Sequence, residues 1–177
     1  MPVAEYERRL GDFIARARHG RAHSGAGACV VCVLTPPPVD EPARLAWEKE
    51  NHDVRFCGGN VRTTAHASEY AAAARRAAAA AGGAAGGVLL CDVFEAFMRV
   101  RAADPAEFSK LFDDGLHFTA AGNLAVYEAL EEAMQAQAPA LWQKLTAPDA
   151  PTDFPLNPDI DPDDPDAAFK AHTAPFC

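Results

Sequence analysis

The chain has 177 residues, 49% of them hydrophobic, with a formal net charge of −9. That is enough apolar material for one ordinary domain with its own core, and the acidic balance excludes the concentrated Lys/Arg face with which proteins track nucleic-acid phosphates. No stretch approaches the roughly 20 consecutive apolar residues of a membrane span, and the charged opening MPVAEYERRL is unlike a secretory signal, so a cytoplasmic protein is expected.

Val3, Tyr6, Leu10, Phe13, Ile14 and Ala17 recur at the spacing of one helical face and predict an opening helix. A Gly-rich loop leads to an unalternating apolar run, which predicts a strand over about 28–34, buried on both faces as in a parallel sheet. Thr35-Pro36-Pro37-Pro38 ends it, because proline removes backbone donors and restricts the residue before it. A loop at the carboxyl end of a parallel strand commonly faces ligand. Pro36, Pro37 and Pro38 are therefore candidates for lining a substrate site, with Asp40 and Glu41 at its rim.

A short helix over 44–50 around Trp47 comes next, then a loop over 51–64 that contains Cys57-Gly58-Gly59-Asn60. Alanine content predicts a surface helix over 66–81, stopped at Gly82-Gly83. A second buried strand over about 87–91 and a helix over 93–100 follow, giving the strand-helix alternation of an α/β fold with a parallel sheet. Beyond Thr119, a suitable N-cap, Leu124, Tyr127, Leu130 and Met134 share one stripe of a further helix. Residues 139–177 are rich in Pro and Asp and are expected to form an extended tail on a domain that occupies 1–138.

The five cysteines, Cys29, Cys32, Cys57, Cys91 and Cys177, are odd in number, and free buried thiols fit them better than a disulfide framework. Cys29 and Cys32 form a C-x-x-C, but three residues apart on a strand they face opposite sides, and no second ligand pair follows. No metal or cofactor is implied.

The chemistry lies in Leu111-Phe-Asp-Asp-Gly-Leu-His-Phe-Thr-Ala-Ala-Gly-Asn123, where Asp114 and His117 fall three residues apart in one turn. A carboxylate bonded to one imidazole nitrogen fixes the tautomer and stabilises the imidazolium, so the other nitrogen can take a proton from a hydroxyl. Gly115 between them permits the tight backbone path. A metal centre built on Asp113, Asp114 and His117 lacks further ligands at sensible spacing.

The stretch DGLHFTAAGN ending at Asn123 resembles the last sequence block of the SGNH, or GDSL, hydrolases, in which Asp-x-x-His supplies the acid and base of a Ser-His-Asp triad. VLTPPPVDE ending at Glu41, with Trp47 after it, and the tail DFPLNPDIDPDDPDAAFKAH ending at His172 are similar to segments of the isoamyl acetate-hydrolysing esterase branch. The resemblance implies a three-layer flavodoxin-like α/β fold and a serine esterase acting on small esters, with His117 as base and Asp114 as its orienter. It also implies a serine after the first strand, and a glycine and an asparagine that bind the oxyanion. Those blocks precede the part present here, because the opening MPVAEYERRL resembles the helix just after the asparagine block.

An N-terminally truncated hydrolase domain is thus expected, and no nucleophile is identified. Ser24, Ser68 and Ser109 do not follow a strand in the strained strand-to-helix turn that exposes a nucleophile. Asn60 and Asn123 are poor oxyanion donors, His19 and His23 flank a helix end where a cation is mildly favourable against the dipole, and His52, His66 and His172 have no carboxylate at catalytic spacing. Esterase activity of the chain by itself is expected to be negligible. The alternative is a non-catalytic product or binding module, self-associating through an exposed sheet edge.

Overall fold

The computed structural model describes residues 1–20, 29–51, 62–147 and 163. Two parallel strands, β1 (Val31–Leu34) and β2 (Val88–Cys91), pair in the register Val31↔Val88 through Leu34↔Cys91. Around them lie α1 (Val3–Gly20), α2 (Glu41–Glu50), α3 (Thr64–Ala80), α4 (Val93–Ala103), α5 (Pro105–Lys110), α6 (Ala120–Gln137) and α7 (Pro139–Leu145). The chain is an α/β protein with a parallel sheet, as its strand-helix alternation predicts.

Alternating side chains on the strands divide the core into two. Val31, Val33, Val88 and Leu90 meet Ile14 of α1 and Ala74, Ala77 and Ala78 of α3. Cys32 and Cys91 meet Phe97 of α4, Phe108 of α5 and Ala129 and Ala133 of α6. Helices on both faces of the sheet make three layers.

The strands are shorter than the expected 28–34 and 87–91, with residue 28 outside the described residues. The ladder runs from Val31 N–H on Gly87 O to Thr35 N–H on Cys91 O. Beyond it the Thr35 and Asp92 side chains, rather than further pairing, hold the two segments together.

The Ala-rich helix is not a surface helix. Ala71, Ala73, Ala74, Ala77 and Ala78 of α3 are buried, because side chains this small let the helix approach both the sheet and α1. Small residues decide the facing of α6 too. A Cβ on Gly122 would lie 2.1 Å from Leu111 O, so this side of the helix packs closest. Ala129 and Ala133 share that side, and Leu124 and Tyr127, expected on the buried stripe, are turned out at 55% and 52% exposure. In α1 the buried line is Tyr6, Leu10 and Ile14, with Phe13 pointing to solvent.

Two helices were not foreseen. Asp104 caps α5, accepting from the Ala106 and Glu107 amides. Residues 139–145, expected as the start of an extended tail, form α7 with Pro139 in its first turn, where the missing amide proton costs nothing.

The outer edge of β2 is covered by a side chain. Gln137 at the end of α6 accepts from Leu90 N–H at 3.0 Å and donates to Leu90 O at 2.7 Å, as a neighbouring peptide would. The opposite edge, that of β1, meets no strand among the described residues.

Candidate active site

The turn between α5 and α6 is closed at its base by an antiparallel bridge between Phe112 and Phe118. Above the bridge Asp113 N–H donates to His117 O at 2.9 Å. The Phe112 and Phe118 rings pack on Phe97, with centroids 5.7 and 5.3 Å away. On the far side Thr119 caps α6 by accepting from Gly122 N–H and donates its own hydroxyl to Lys110 O. The turn is thus fixed at its base to the aromatic core.

Its tip is fixed to α2. Gly115 adopts φ +83°, and a Cβ there would lie 2.4 Å from both Arg44 N and Asp40 O. Asp40 N–H donates to Gly115 O at 3.0 Å. The glycine expected for a tight path is therefore required twice, by its own backbone conformation and by the helix that rests on it.

Within this turn Asp114 is buried and His117 is exposed, with 5% and 74% of their side chains open to solvent. His117 Nδ1 lies 2.9 Å from Asp114 Oδ2. Oδ1 accepts from the Leu116 and His117 amides at 3.0 and 2.8 Å. Burial pushes the Asp114 carboxyl up, but the His117 amide, the His117 ring and the Leu116 amide outweigh it, leaving a pKa of about 2. The aspartate is ionised at any ordinary pH. An imidazole held in this way through Nδ1 presents Nε2 as a proton acceptor.

Sequence reasoning missed the other side of the pair. Arg44 Nη1 lies 2.6 Å from Asp114 Oδ2, and Arg44 Nε lies 2.9 Å from Glu48 Oε1, all three side chains being buried. The Arg44-x-x-x-Glu48 spacing on α2 was a readable signal for the second contact. Nothing local could announce the first, which spans 70 residues.

The remaining candidates are scattered. Pro36 and Pro37 are half-buried and Pro38 is fully buried, so Pro38 offers a ligand no surface. Asp40 is the N-cap of α2 rather than a rim residue. Glu41 accepts from Thr64 N–H at the start of α3.

Ser109 lies within α5 and its Oγ bonds back to Pro105 O. Ser68 lies within α3 and His66 in its first turn, while Ser24, Asn60, His23, His52 and His172 lie outside the described residues. Burial pushes up the thiols of Cys32 and Cys91, the latter to about 11, so neither is a ready nucleophile.

The chain thus displays a carboxylate–imidazole pair on a rigid turn before a helix, an arrangement that can take up and pass on a proton. The chain is similar to a GDSL esterase/lipase of Arabidopsis thaliana, 25% identical over 169 residues that make up 96% of the chain and 61% of the relative. This distant relative supports the GDSL/SGNH family; no family model matches. The chain spans less than two thirds of the relative's length.

Proposed function

We propose that the chain carries the acid–base part of a serine carboxylic-ester hydrolase acting on small esters, within the isoamyl acetate-hydrolysing branch. Asp114 orients His117, and His117 is the general base. The observation that carries this reading is the 2.9 Å contact between a buried, ionised carboxylate and Nδ1 of an exposed imidazole. A base must be held on one nitrogen and open on the other. The half-exposed Pro36 and Pro37 are proposed to border the substrate, since the loop they begin ends at Asp40, against Gly115 of the turn.

The serine that His117 would deprotonate is proposed to come from outside these 177 residues, because Ser68 and Ser109 lie in helices and Ser24 is not preceded by a strand signal. The domain is proposed to occupy 1–138, with 139–177 packing on or trailing it. Hydrolysis of p-nitrophenyl acetate by the purified chain tests this. Background rates support the reading, and turnover abolished by His117→Ala would show that a nucleophile is already present.

The outer edge of β1 favours a second, non-catalytic reading. Val31 and Thr35 direct their amides to β2, so by alternation those of Cys32 and Leu34 point to the other side. Val30 and Leu34 are 42% and 43% exposed beside that edge. Self-association or capture of a strand would cover it. Sedimentation of the chain tests this reading, and a monomer at all concentrations would count against it.

A further inference from the structure

The buried charges of α2 bear on the Asp114–His117 pair through one shared atom. Asp114 Oδ2, which faces His117 Nδ1 at 2.9 Å, also lies 2.6 Å from Arg44 Nη1. Arg44 has anchors besides Asp114. Its Nε is held at 2.9 Å by Glu48 one turn along the same helix, and its Cζ sits 4.5 Å from the Trp47 ring centroid. The guanidinium is thus anchored within α2 before it meets the turn, and the Gly115–Asp40 contact fixes the helix against that turn.

A carboxylate whose charge is directed wholly at an imidazole binds the ring proton tightly and makes it a poor base near neutrality. A cation on the same oxygen draws charge back and restricts where the carboxylate can point. We propose that Arg44 is a positioning residue of the dyad: it holds Asp114 Oδ2 in line with His117 Nδ1 and offsets part of its charge, keeping His117 a neutral base in one tautomer. This rests on the reading of His117 as the base.

Among the described residues, the charged groups that the turn and the facing part of α2 bring to the pair are Asp113, Asp114, Asp40, Arg44 and Glu48. Asp113 is exposed and holds His117 through its backbone amide, and the Asp40 side chain caps α2. Glu48 is paired with Arg44 Nε at 2.9 Å. Arg44 therefore has the direct route to the oxygen that His117 uses.

Isotope-labelled full chain, titrated by NMR, tests the proposal. The His117 ring should be protonated at Nδ1 and free at Nε2 above its midpoint, and the Arg44 side-chain nitrogen resonances should shift with that same midpoint. Arg44→Gln should bind the His117 proton about tenfold more tightly, and Arg44→Lys should recover part of the change. A folded Arg44→Gln chain with an unchanged His117 midpoint overturns the proposal.

If Arg44→Gln does not fold, the unmodified chain still decides, since Arg44 resonances that ignore the His117 titration overturn it equally. If Asp114→Asn leaves the His117 tautomer unaltered, the dyad itself is refuted and Arg44 has nothing to position. A fixed, Asp114-dependent tautomer beside an indifferent Arg44 refutes only the inference about Arg44.

Discussion

Thr35 Oγ1 lies 3.0 Å from Asp92 Oδ1, joining the residues that follow the two adjacent strands. The same hydroxyl accepts from Phe94 N–H at 2.9 Å, and Asp92 takes both Nε and Nη2 of Arg75 at 2.6 and 2.9 Å. Burial pushes the Asp92 carboxyl up, but Arg75, the Glu95 amide and the Thr35 hydroxyl reverse this and hold it below the ordinary carboxylate range. One hydroxyl and one carboxylate tie the carboxyl ends of both strands to α3 and α4.

Thr35→Val keeps the shape of this residue and removes its hydroxyl. With Thr35 2% and Phe94 7% exposed, water cannot readily replace it. The Phe94 amide is left without its acceptor, and urea unfolding should show a loss of about 1–3 kcal/mol. Thr35→Ser, which keeps the hydroxyl, should cost less.

Gly115→Ala should be among the most damaging single-methyl changes in the chain. A side chain at φ +83° is strained, and its Cβ would press on two backbone atoms of the loop and helix at 2.4 Å. Strain and overpacking together imply a loss of about 3 kcal/mol in chemical denaturation.

Asp114 should make stability depend on acid pH. Its carboxyl titrates at about 2 in the fold against 3.8 ordinarily. A depressed folded-state pKa means that the unfolded chain binds more protons between those values, so stability rises with pH there. The contribution is complete above the unfolded value and lost as pH falls through about 2, with an amplitude of about 2 kcal/mol. Unfolding of wild type and Asp114→Asn followed over acid pH should show this rise in the difference between them.

Gln137→Ala should uncover two backbone groups of Leu90 at once. About 1–2 kcal/mol of stability should be lost, at roughly 1 kcal/mol per hydrogen bond. Hydrogen exchange is the sharper measurement, because the Leu90 amide should lose protection more than its neighbours in β2.

In a serine-bearing form of the chain, Asp114→Asn should lower kcat for a small ester by about 10⁴-fold, by allowing the wrong imidazole tautomer. A much smaller loss would leave His117 without the orienter proposed for it.

What the sequence disclosed was local. Asp114 and His117 are three residues apart, close enough for a carboxylate and a ring to meet within one turn, as they do. The strands were readable as apolar runs bounded by proline and glycine. Arg44 was not readable as the partner of Asp114, since a contact across 70 residues depends on where α2 docks.

The facing of α6 failed for a related reason. Hydrophobicity ranks Leu124 and Tyr127 as core, but the helix packs through Gly122 against Leu111 and through Ala129 and Ala133 against the core at Cys91, and that facing turns the larger residues outward. Helices α5 and α7, of six and seven residues, are too short to show a period. Their proline starts, at Pro105 and Pro139, were the cue available.

The Gln137 bond to Leu90 has a further consequence for assembly. A sheet with two bare rims can recruit strands from copy after copy and grow into a fibre. Here one rim is already plugged by an amide from the same chain. The β1 rim meets no strand among the described residues, so if two copies met rim to rim there, that association would stop at a pair.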